Sequence, residues 1–348
     1  MNQGKHIRHV LEIYNSIRGR RENNGRECPV FKSLITAVVV GSLCFAVAPS
    51  EAAYQTPQES KNEPQSESPA KQAVEAKTKP QQKKYEYTKR AGIIYDKGDD
   101  YRLACDIYQP VGDGPFPGVL AIHGGAWRHG NKLAMLRHAW EFASRGYVVV
   151  AINYRLAPDN KFPTQVHDCK TAVRWMRLKS KKLKLDPDRI AAFGYSAGAH
   201  LAAMLGTTDE ADGFEGTVTD EKLKPFSTRV QCVIAGGAPC EFKWIKSKSL
   251  VYWLGHSPQE KPALYKQAAP MTYITKDDPP FMFIHGTADK IVPIRSSQRM
   301  HEKLKEIGID SRYESVEGKG HFATFSDLSW MESAIDFMDE VMPTENSK

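Results

Sequence analysis

The sequence predicts an α/β fold: a mostly parallel sheet of eight strands, with helices on both faces and a small cap segment. Two observations lead to this fold class. From residue 85 onward, strand-like apolar runs alternate with helix-like stretches, the pattern of a largely parallel sheet covered on both faces. The same 264 residues contain no internal repeat and suit one sheet, so we expect a single folded domain over residues 85–348.

The predicted strands are short apolar runs bounded by turn residues. In chain order they are Gly92–Tyr95, Leu103–Tyr108, Gly118–His123, Tyr147–Asn153, Ile190–Tyr195, Val230–Ala235, Phe281–His285 and Ser311–Val316. The clearest helix lies at Val166–Leu178, because its apolar residues recur at helical spacing. Two further helices are predicted at Ser296–Ile307 and Phe325–Met342.

The first 84 residues differ in composition from the rest. A basic segment precedes an uncharged apolar run over residues 34–48, and small residues just before position 53 fit a signal-peptidase site. We therefore expect residues 1–52 to be an export signal cut near Ala52, which would make the protein secreted or periplasmic. An uncleaved membrane anchor through residues 34–48 is the alternative. Residues 53–84 are too polar to offset the entropy of ordering a chain, and we expect a disordered linker there.

The net charge of +7 would indicate an anionic partner only if it were clustered on the folded domain. Of this charge, +3 lies in residues 1–52 and +2 in residues 53–84, which leaves +2 for residues 85–348. A nearly neutral domain gives no support to nucleic-acid binding. With 41% hydrophobic residues and 6 Cys, the composition also excludes a wholly disordered chain, a collagen-like repeat, a disulfide-dense mini-protein and a polytopic membrane protein.

The first motif that carries chemistry is a G-x-S-x-G sequence. Gly194–Gly198 (GYSAG) follows one predicted strand and precedes Ala199–Leu205, a good helix former. A sharp strand-to-helix turn presents the hydroxyl of Ser196 at the carboxyl edge of the sheet, beside the unpaired N–H groups of a helix N-terminus. Ser196 is therefore the candidate nucleophile, and the N–H of Ala197 is a candidate donor to an oxyanion. An ordinary glycine turn is the alternative.

A second glycine motif, HGGAW at 123–127, ends another predicted strand and lies 73 residues before the serine. Glycines without side chains let the backbone approach a substrate closely. We predict that the N–H groups of Gly125 and Ala126 complete the oxyanion hole, and that His123 orients this loop and does not act as the base. Trp127 is predicted to line the acyl or alcohol pocket. The alternatives are a plain turn for the glycines and simple packing for Trp127.

A serine nucleophile also needs a base and an acid that orients the base. Asp289 follows the seventh predicted strand, and His321 follows the last one in a glycine-rich loop. Both lie at carboxyl ends of strands, where open α/β sheets place their sites. Asp277 and Asp278 precede their strand and so lie at its wrong end. The predicted catalytic residues are therefore Ser196 as nucleophile, Asp289 as acid and His321 as base.

Five motifs in this order resemble the α/β-hydrolases of the esterase/lipase superfamily, near the hormone-sensitive-lipase-like carboxylesterases. They are HGGAW at 123–127, NYRLAP at 153–158, GYSAGAHLA at 194–202, HGTADKIVP at 285–293 and GKGH at 318–321. The segments GGAPC at 236–240 and DPP at 278–280 resemble the bifunctional feruloyl/acetylxylan esterase group. Ala126 and Ala199 depart from the resemblance, since many relatives carry glycine at those positions.

The resemblance implies an α/β-hydrolase catalytic domain over residues 85–348. It implies a serine carboxylesterase that hydrolyses acyl esters through an acyl-enzyme, with acetyl or feruloyl groups on carbohydrates as candidate substrates, and it implies no metal and no organic cofactor. The partner would be a small-molecule or carbohydrate ester, with membrane contact only through an uncleaved leader. The alternatives are a lipase-like esterase, a catalytically silent binding module, and a peptidase of the prolyl-oligopeptidase type, which a propeller-sized domain ahead of the catalytic one would favour.

Several other residues are expected to have structural roles. His200 is expected to pack or cap, and Asp168 to make a structural hydrogen bond or an ion pair with Arg155. For Trp244 and Trp253, in the predicted cap, two roles are left open: stacking on sugar or ferulate rings, or packing in the core.

The cysteines of the folded domain show neither a CxxC pair nor a zinc-like spacing; they are Cys105, Cys169, Cys232 and Cys240. Cys169 and Cys232 lie in apolar segments and are expected to be buried thiols. A bridge between Cys232 and Cys240 is left open.

Overall fold

Eight strands form one sheet within residues 84–245 and 247–343, the part of the chain that the computed structural model describes. They are β1 (Tyr87–Lys97), β2 (Arg102–Pro110), β3 (Phe116–Ile122), β4 (Val148–Ile152), β5 (Leu185–Tyr195), β6 (Cys232–Gly236), β7 (Phe281–Gly286) and β8 (Ser311–Val316). The predicted strands are confirmed in order, although β1 and β5 are longer than predicted. The predicted leader, residues 1–52, and the predicted linker up to residue 83 lie outside the described residues.

The sheet is mostly parallel, and its strand order is β1-β2-β4-β3-β5-β6-β7-β8. The pairs β1/β2 and β2/β4 are antiparallel, and every other neighbouring pair is parallel. Six parallel strands therefore end at one side of the sheet. We call this side the carboxyl edge; it is formed by the residues that follow Ile122, Ile152, Tyr195, Gly236, Gly286 and Val316.

Helices cover both faces of the sheet. They are α1 (Leu136–Ser144), α2 (Thr164–Leu178), α3 (Ser180–Leu183), α4 (Ala197–Thr207), α5 (Lys248–Leu254), α6 (Pro262–Gln267), α7 (Arg295–Glu306), α8 (His321–Ser326) and α9 (Met331–Val341), with 3₁₀ turns at Lys132–Met135, Glu221–Leu223 and Pro270–Thr272. The predicted helices at Val166–Leu178 and Ser296–Ile307 are confirmed as α2 and α7. No helix in the described part of the chain is long and apolar enough to cross a membrane.

The prediction of one continuous helix over Phe325–Met342 is wrong, because the chain breaks between α8 and α9. The side chain of Asp327 accepts the N–H of Ser329 at 2.9 Å, a local bond that competes with the helical pattern. Trp330 is fully buried in the break, and its indole N–H donates to the carbonyl of Thr324 at 3.2 Å. The break gives the segment that starts at His321 its own short helix at the carboxyl edge.

Alternate residues of the central strands face two different cores. Leu120 and Val150 pack in one apolar cluster with α2 and α4, and Val119 and Val149 pack in the other with α1 and α9. This alternation follows from the pleat of a strand, in which successive side chains point to opposite faces. Because both faces are covered, only the edges of the sheet are open to a ligand.

The cysteines and the predicted ion pair play structural parts. Cys105, Cys169, Cys232 and Cys240 are all buried free thiols, so the bridge between Cys232 and Cys240 is not formed. Burial raises the pKa of the Cys105 thiol to about 12.

The predicted ion pair between Asp168 and Arg155 is confirmed. Asp168 accepts hydrogen bonds from the backbone N–H of Arg155 at 2.7 Å and from its side-chain Nε–H at 3.0 Å.

Candidate active site

Ser196 occupies the sharp turn between β5 and α4. Its backbone has φ 57° and ψ −122°, a conformation that costs a non-glycine residue about 1–3 kcal/mol and that only firm surroundings maintain. The N–H of Ser196 donates to the carbonyl of Gly236 at 2.8 Å. A Cβ on Gly194 would lie 2.2 Å from backbone atoms of Gly198, and one on Gly198 would lie 2.0 Å from the carbonyl oxygen of Ile122. Glycine is therefore required on both sides of the serine.

The glycine loop after β3 passes directly beside Ser196. We call residues 123–131 the oxyanion loop. A Cβ on Gly124 would lie 3.3 Å from the Cβ of Ser196, which shows how closely the two backbones approach. Gly125 has φ 116°, and Ala126 has φ 53°, a left-handed conformation that favours glycine. Ala126 therefore stands in a backbone conformation that glycine adopts more readily.

Three backbone N–H groups in this region are free to receive an anion. Within residues 84–245 and 247–343, the N–H groups of Gly125, Ala126 and Ala197 donate no hydrogen bond. Ala197 is the first residue of α4, so its N–H also lies at the positive end of the helix dipole. These are the three donors that the sequence predicts for the oxyanion hole.

His123 is packed in a way that suits its predicted role of orienting the loop. Its ring stacks on Tyr154 with the centroids 4.2 Å apart and the planes at 10°. The Tyr154 hydroxyl donates to the carbonyl of His123 at 3.0 Å, and Nδ1 of the ring lies 2.7 Å from the carbonyl oxygen of Gly124. Burial lowers the pKa of His123 to about 4, although the contact with Gly124 raises it in part. The ring is therefore neutral near pH 7.

Asp289 and His321 form a hydrogen-bonded pair at the carboxyl edge. Nδ1 of His321 lies 2.6 Å from Oδ2 of Asp289, and the other carboxylate oxygen accepts the N–H groups of Ile291 at 2.8 Å and Val292 at 2.9 Å. Burial alone would raise the pKa of Asp289. Hydrogen bonds from His285, His321 and the Val292 backbone outweigh it and hold this pKa well below its ordinary value. The carboxylate is thus ionised and can stabilise an imidazolium.

His285 is a member of this cluster that the sequence reasoning missed. It is fully buried, and its Nε2 lies 3.0 Å from the carbonyl oxygen of Val292 and 3.3 Å from Oδ2 of Asp289. Since both of those oxygens only accept, Nε2 carries the proton and donates to them. Nδ1 of the same ring lies 2.7 Å from Oγ of Ser297. Two signals in the sequence could have found it: His285 begins the HGTADKIVP motif, and it lies four residues before Asp289.

The structure joins the serine to the acid–base pair through Tyr195, the residue before Ser196. The Tyr195 hydroxyl donates to the carbonyl of His321 at 2.7 Å, and the two rings lie 5.1 Å apart. Within the described residues, Oγ of Ser196 makes no hydrogen bond to Nε2 of His321. Catalytic hydrogen bonds are often long without substrate and tighten when it binds. The structure therefore brings Asp289 and His321 into direct contact and places Ser196 at the same edge.

Trp127 packs against the cap segment, defined here as residues 241–245 and 247–272. Its ring is parallel to that of Trp253, with centroids 4.0 Å apart and planes at 5°, and its Nε1 donates to Nδ1 of His200 at 3.3 Å. Nε2 of His200 in turn lies 2.7 Å from the carbonyl oxygen of Ala268. These contacts match the structural expectation for His200 and core packing for Trp253. Contact of Trp127 with a substrate stays a prediction.

The cap segment contains a cavity of about 890 Å³. Its apolar lining includes Phe242, Ile245, Leu250, Tyr265 and Met271. Phe242 also lies 6.1 Å from Trp127 between ring centroids, so the cavity adjoins the aromatic cluster behind the oxyanion loop. Trp244, in contrast, lies under the cations of Lys243 and Arg295, each 4.3 Å from its ring. No cluster of three or more His, Cys, Asp or Glu side chains in the described chain could hold a metal ion.

Comparisons with known proteins place this geometry among esterases. The BD-FAE family model matches residues 105–304, more than half of the chain. Esterase LipC of Mycobacterium tuberculosis is 28% identical over 250 residues, which cover 68% of this chain and 60% of LipC. The alignments with LipC, LipM and LipQ of that organism span 46–60% of those proteins.

Two solved structures extend the likeness over the domain. A truncated carbohydrate esterase from gut microbiota matches with a TM-score of 0.67 and 26% identity, covering 75% of this chain and 98% of the other. Esterase 2 of Thermogutta terrifontis, in a structure phosphorylated by paraoxon, matches with a TM-score of 0.60 and 26% identity, covering 76% of this chain and 98% of the other. The sheet and its helices therefore form an α/β-hydrolase fold.

Proposed function

The chain belongs to the BD-FAE family, and we propose that it is a serine carboxylesterase that hydrolyses acyl esters through an acyl-enzyme. The observation that carries the proposal is the pairing of Asp289 with His321 at 2.6 Å, at the sheet edge that also holds Ser196. The unpaired N–H groups beside the serine support it, because acyl transfer builds negative charge on the carbonyl oxygen. The esterases among the similar proteins point to the same reaction.

The reaction begins with proton transfer from Ser196 Oγ to Nε2 of His321, while Oγ attacks the ester carbonyl carbon. The tetrahedral oxyanion accepts hydrogen bonds from the N–H groups of Gly125, Ala126 and Ala197, a contribution of about 3 kcal/mol per donor. Asp289 holds the Nδ1–H tautomer of the histidine and stabilises the imidazolium. Collapse of the intermediate breaks the bond to the alcohol, which takes the proton from Nε2.

Deacylation reverses these roles with water as the nucleophile. His321 removes a proton from water, the hydroxide attacks the acyl-serine carbonyl, and the same three N–H groups hold the second oxyanion. Collapse returns the proton to Oγ of Ser196 and releases the carboxylic acid. Each step balances with water as the only co-reactant, so the residues present suffice.

For the substrate, we propose acyl esters of carbohydrates, with acetyl and feruloyl groups as the acyl part. The similarity to a gut carbohydrate esterase supports this class. The segments GGAPC at 236–240 and DPP at 278–280, which resemble the feruloyl/acetylxylan esterase group, support the same class. A lipase-like esterase acting on longer aliphatic acyl chains is the second candidate, because esterases such as LipC are also among the similar proteins.

The first experiment tests the nucleophile. The assay with p-nitrophenyl acetate compares the wild type with Ser196→Ala and with a control, Ser326→Ala. The side chain of Ser326 is exposed on α8. Loss of turnover is expected for Ser196→Ala alone, and paraoxon should phosphorylate Ser196 in the wild type and in the control. Equal rates for wild type and Ser196→Ala would refute the serine mechanism, and inactivity of the wild type on every ester would favour a binding module.

The second experiment tests the substrate class. Acetylated xylan, methyl ferulate and p-nitrophenyl esters of acetate and butyrate are compared at equal concentrations of active sites. We expect turnover of the acetylated xylan and of methyl ferulate. Hydrolysis of butyrate esters with neither carbohydrate acyl group released would assign the chain to the lipase-like alternative, and cleavage of a prolyl peptide would favour a peptidase.

We further propose that the protein is exported, on the strength of the basic segment, the apolar run over residues 34–48 and the small residues before position 53. N-terminal sequencing of the mature protein checks this. A start at Ala53 or close to it is expected. A mature chain that keeps residues 34–48 and sediments with membranes would indicate the anchored alternative.

A further inference from the structure

The oxyanion loop has a backbone conformation that its own residues do not favour. Ala126 has φ 53° and Trp127 has φ 58°, and an L-residue in this region brings its Cβ close to the following carbonyl. Such a conformation persists only where the surroundings hold it. The N–H groups of Arg128 and His129 donate to the carbonyl of Gly125 at 3.1 Å and 2.9 Å and close a turn. These bonds use the carbonyl of Gly125 and leave its N–H unpaired.

Two consecutive side chains of this loop meet two consecutive side chains of helix α5. Trp127 lies parallel to Trp253 with ring centroids 4.0 Å apart, and the guanidinium carbon of Arg128 lies 4.1 Å from the ring centroid of Tyr252. Parallel aromatic contact and cation–π contact both depend on distance and angle. Together they restrain both the distance and the orientation of the oxyanion loop relative to α5.

The helix side of this contact is itself tied to the body of the domain. Nε1 of Trp253 donates to Oε1 of Gln165 in α2 at 2.9 Å, and the carbonyl of Trp253 accepts the N–H of Phe162 at 3.2 Å. Trp253 is fully buried, whereas Tyr252 is 47% exposed. Trp253 is thus a fixed anchor, and Tyr252 is the member that a substitution can remove without opening the core.

We propose that Tyr252 and Trp253 are positioning residues of the oxyanion hole: α5 holds Trp127 and Arg128, and through them aims the N–H groups of Gly125 and Ala126. This inference rests on the proposed ester hydrolysis at Ser196. Neither aromatic side chain of α5 has to touch the substrate. Because the N–H groups act on charge that develops in the transition state, loosening this contact lowers kcat and leaves KM nearly unchanged.

The test compares Tyr252→Ala with the rescue variant Tyr252→Phe and the control Ser249→Ala, which alters a small side chain of the same helix outside the lining of the cap cavity. Active sites are counted by complete reaction with paraoxon, and kcat is expressed per labelled site. We expect kcat to fall about fivefold in Tyr252→Ala, with KM within about twofold. Tyr252→Phe keeps the ring that contacts Arg128 and should behave as wild type, as should Ser249→Ala.

A double-mutant cycle with Arg128 separates this role from plain stability. Arg128→Ala should lower kcat about as much as Tyr252→Ala, and the double variant should lose little more than either, because both remove one contact. Independent losses that multiply would overturn the proposal. So would a Tyr252→Ala enzyme with fewer labelled sites or a lower Tm but unchanged kcat per site. A wild type that neither reacts with paraoxon nor hydrolyses esters is a different result, since it removes the proposed function itself.

Discussion

Strand β7 has a buried aspartate near each end, and the two carboxyl groups behave in opposite ways. Asp278 lies three residues before the strand begins, and Asp289 lies three residues after it ends. Asp278 is buried as a whole residue, and Asp289 is half-buried as a residue, although its side chain is 0% exposed. Yet the pKa of Asp278 is raised to about 6, whereas that of Asp289 is held well below its ordinary value. Burial of the carboxyl group alone therefore does not decide which of the two aspartates is ionised.

The donors around each carboxyl group account for the difference. Asp278 accepts the N–H of Thr275 at 3.2 Å and its hydroxyl at 3.0 Å, and these bonds offset only part of the desolvation. Asp289 accepts two backbone N–H groups and lies against the rings of His285 and His321. The loop that turns back at the carboxyl edge thus provides the donors that keep a buried carboxylate ionised.

The largest effect on kcat should come from replacing Asp289 with asparagine, and the same replacement at Asp278 is the control. Asp289→Asn removes the charge and the tautomer control on His321, and kcat is expected to fall about 10⁴-fold. The matched variant Asp278→Asn should retain kcat within about twofold, because its environment lies at the other edge of the sheet. Both are checked with p-nitrophenyl acetate, and circular dichroism confirms the fold. Near-normal turnover of a folded Asp289→Asn enzyme would place the acid elsewhere.

A smaller loss of kcat is expected when His285 is replaced. This variant tests whether the hydrogen-bond donors around Asp289 account for the difference between the two aspartates. His285→Leu removes one hydrogen bond to a charged group, worth about 1.5–3 kcal/mol, so kcat should fall about 10–100-fold if the orientation of Asp289 depends on it. His285→Gln keeps an N–H near the position of Nε2 and should recover most of the activity. The measurement is kcat per paraoxon-labelled site. Equal activity of the Leu and Gln variants would show that only the volume of the ring matters.

Much of this site could be predicted from the sequence, because its members follow strands that local patterns reveal. The succession of strands along the chain and the turn around Ser196 required only apolar periodicity and glycine spacing, whereas the order of the strands within the sheet was not predicted. The choice of Asp289 over Asp278 followed from the rule that sites lie at carboxyl ends of parallel strands. Short-range chemistry and one topological rule were sufficient for these positions.

The parts that could not be predicted depend on contacts between residues far apart in the chain. Trp127 meets Trp253, and the tautomer of His285 depends on the carbonyl of Val292 and on the hydroxyl of Ser297. No local pattern encodes such contacts. The break between α8 and α9 was missed for a related reason, since a buried Trp330 in a helical pattern looks the same whether the helix continues or ends.

Two glycines with positive φ test how tightly the residues around the Asp289–His321 pair are packed at the carboxyl edge. A Cβ on Gly237, at φ 55°, would lie 3.0 Å from Cε1 of His321 and 3.1 Å from the ring of Tyr195, whereas one on Gly308, at φ 90°, would meet nothing within 4 Å. Both alanine variants should lose about 1–2 kcal/mol of unfolding free energy from backbone strain. Only Gly237→Ala should also lose kcat, severalfold, because it displaces the histidine. A Gly308→Ala enzyme with the same kcat loss would contradict this account.

The smallest effect concerns stability at the other end of β7. Because burial raises the pKa of Asp278 from 3.8 to about 6, the folded protein binds a proton there that the unfolded chain has already lost between these pH values. The contribution of Asp278 to stability is therefore full below about pH 4 and is lost as pH rises through 6, by about 1–2 kcal/mol. Urea unfolding of wild type and Asp278→Asn from pH 4 to pH 7 measures it as the difference between the two curves. Asp289 has a lowered pKa, so its contribution to stability is present above about pH 4 and is lost only as the pH falls below that value. The two aspartates therefore affect stability in separate pH ranges. Parallel curves for the two proteins would show that folding does not raise the pKa of Asp278, and the contrast between the aspartates would then rest on the lowered pKa of Asp289 alone.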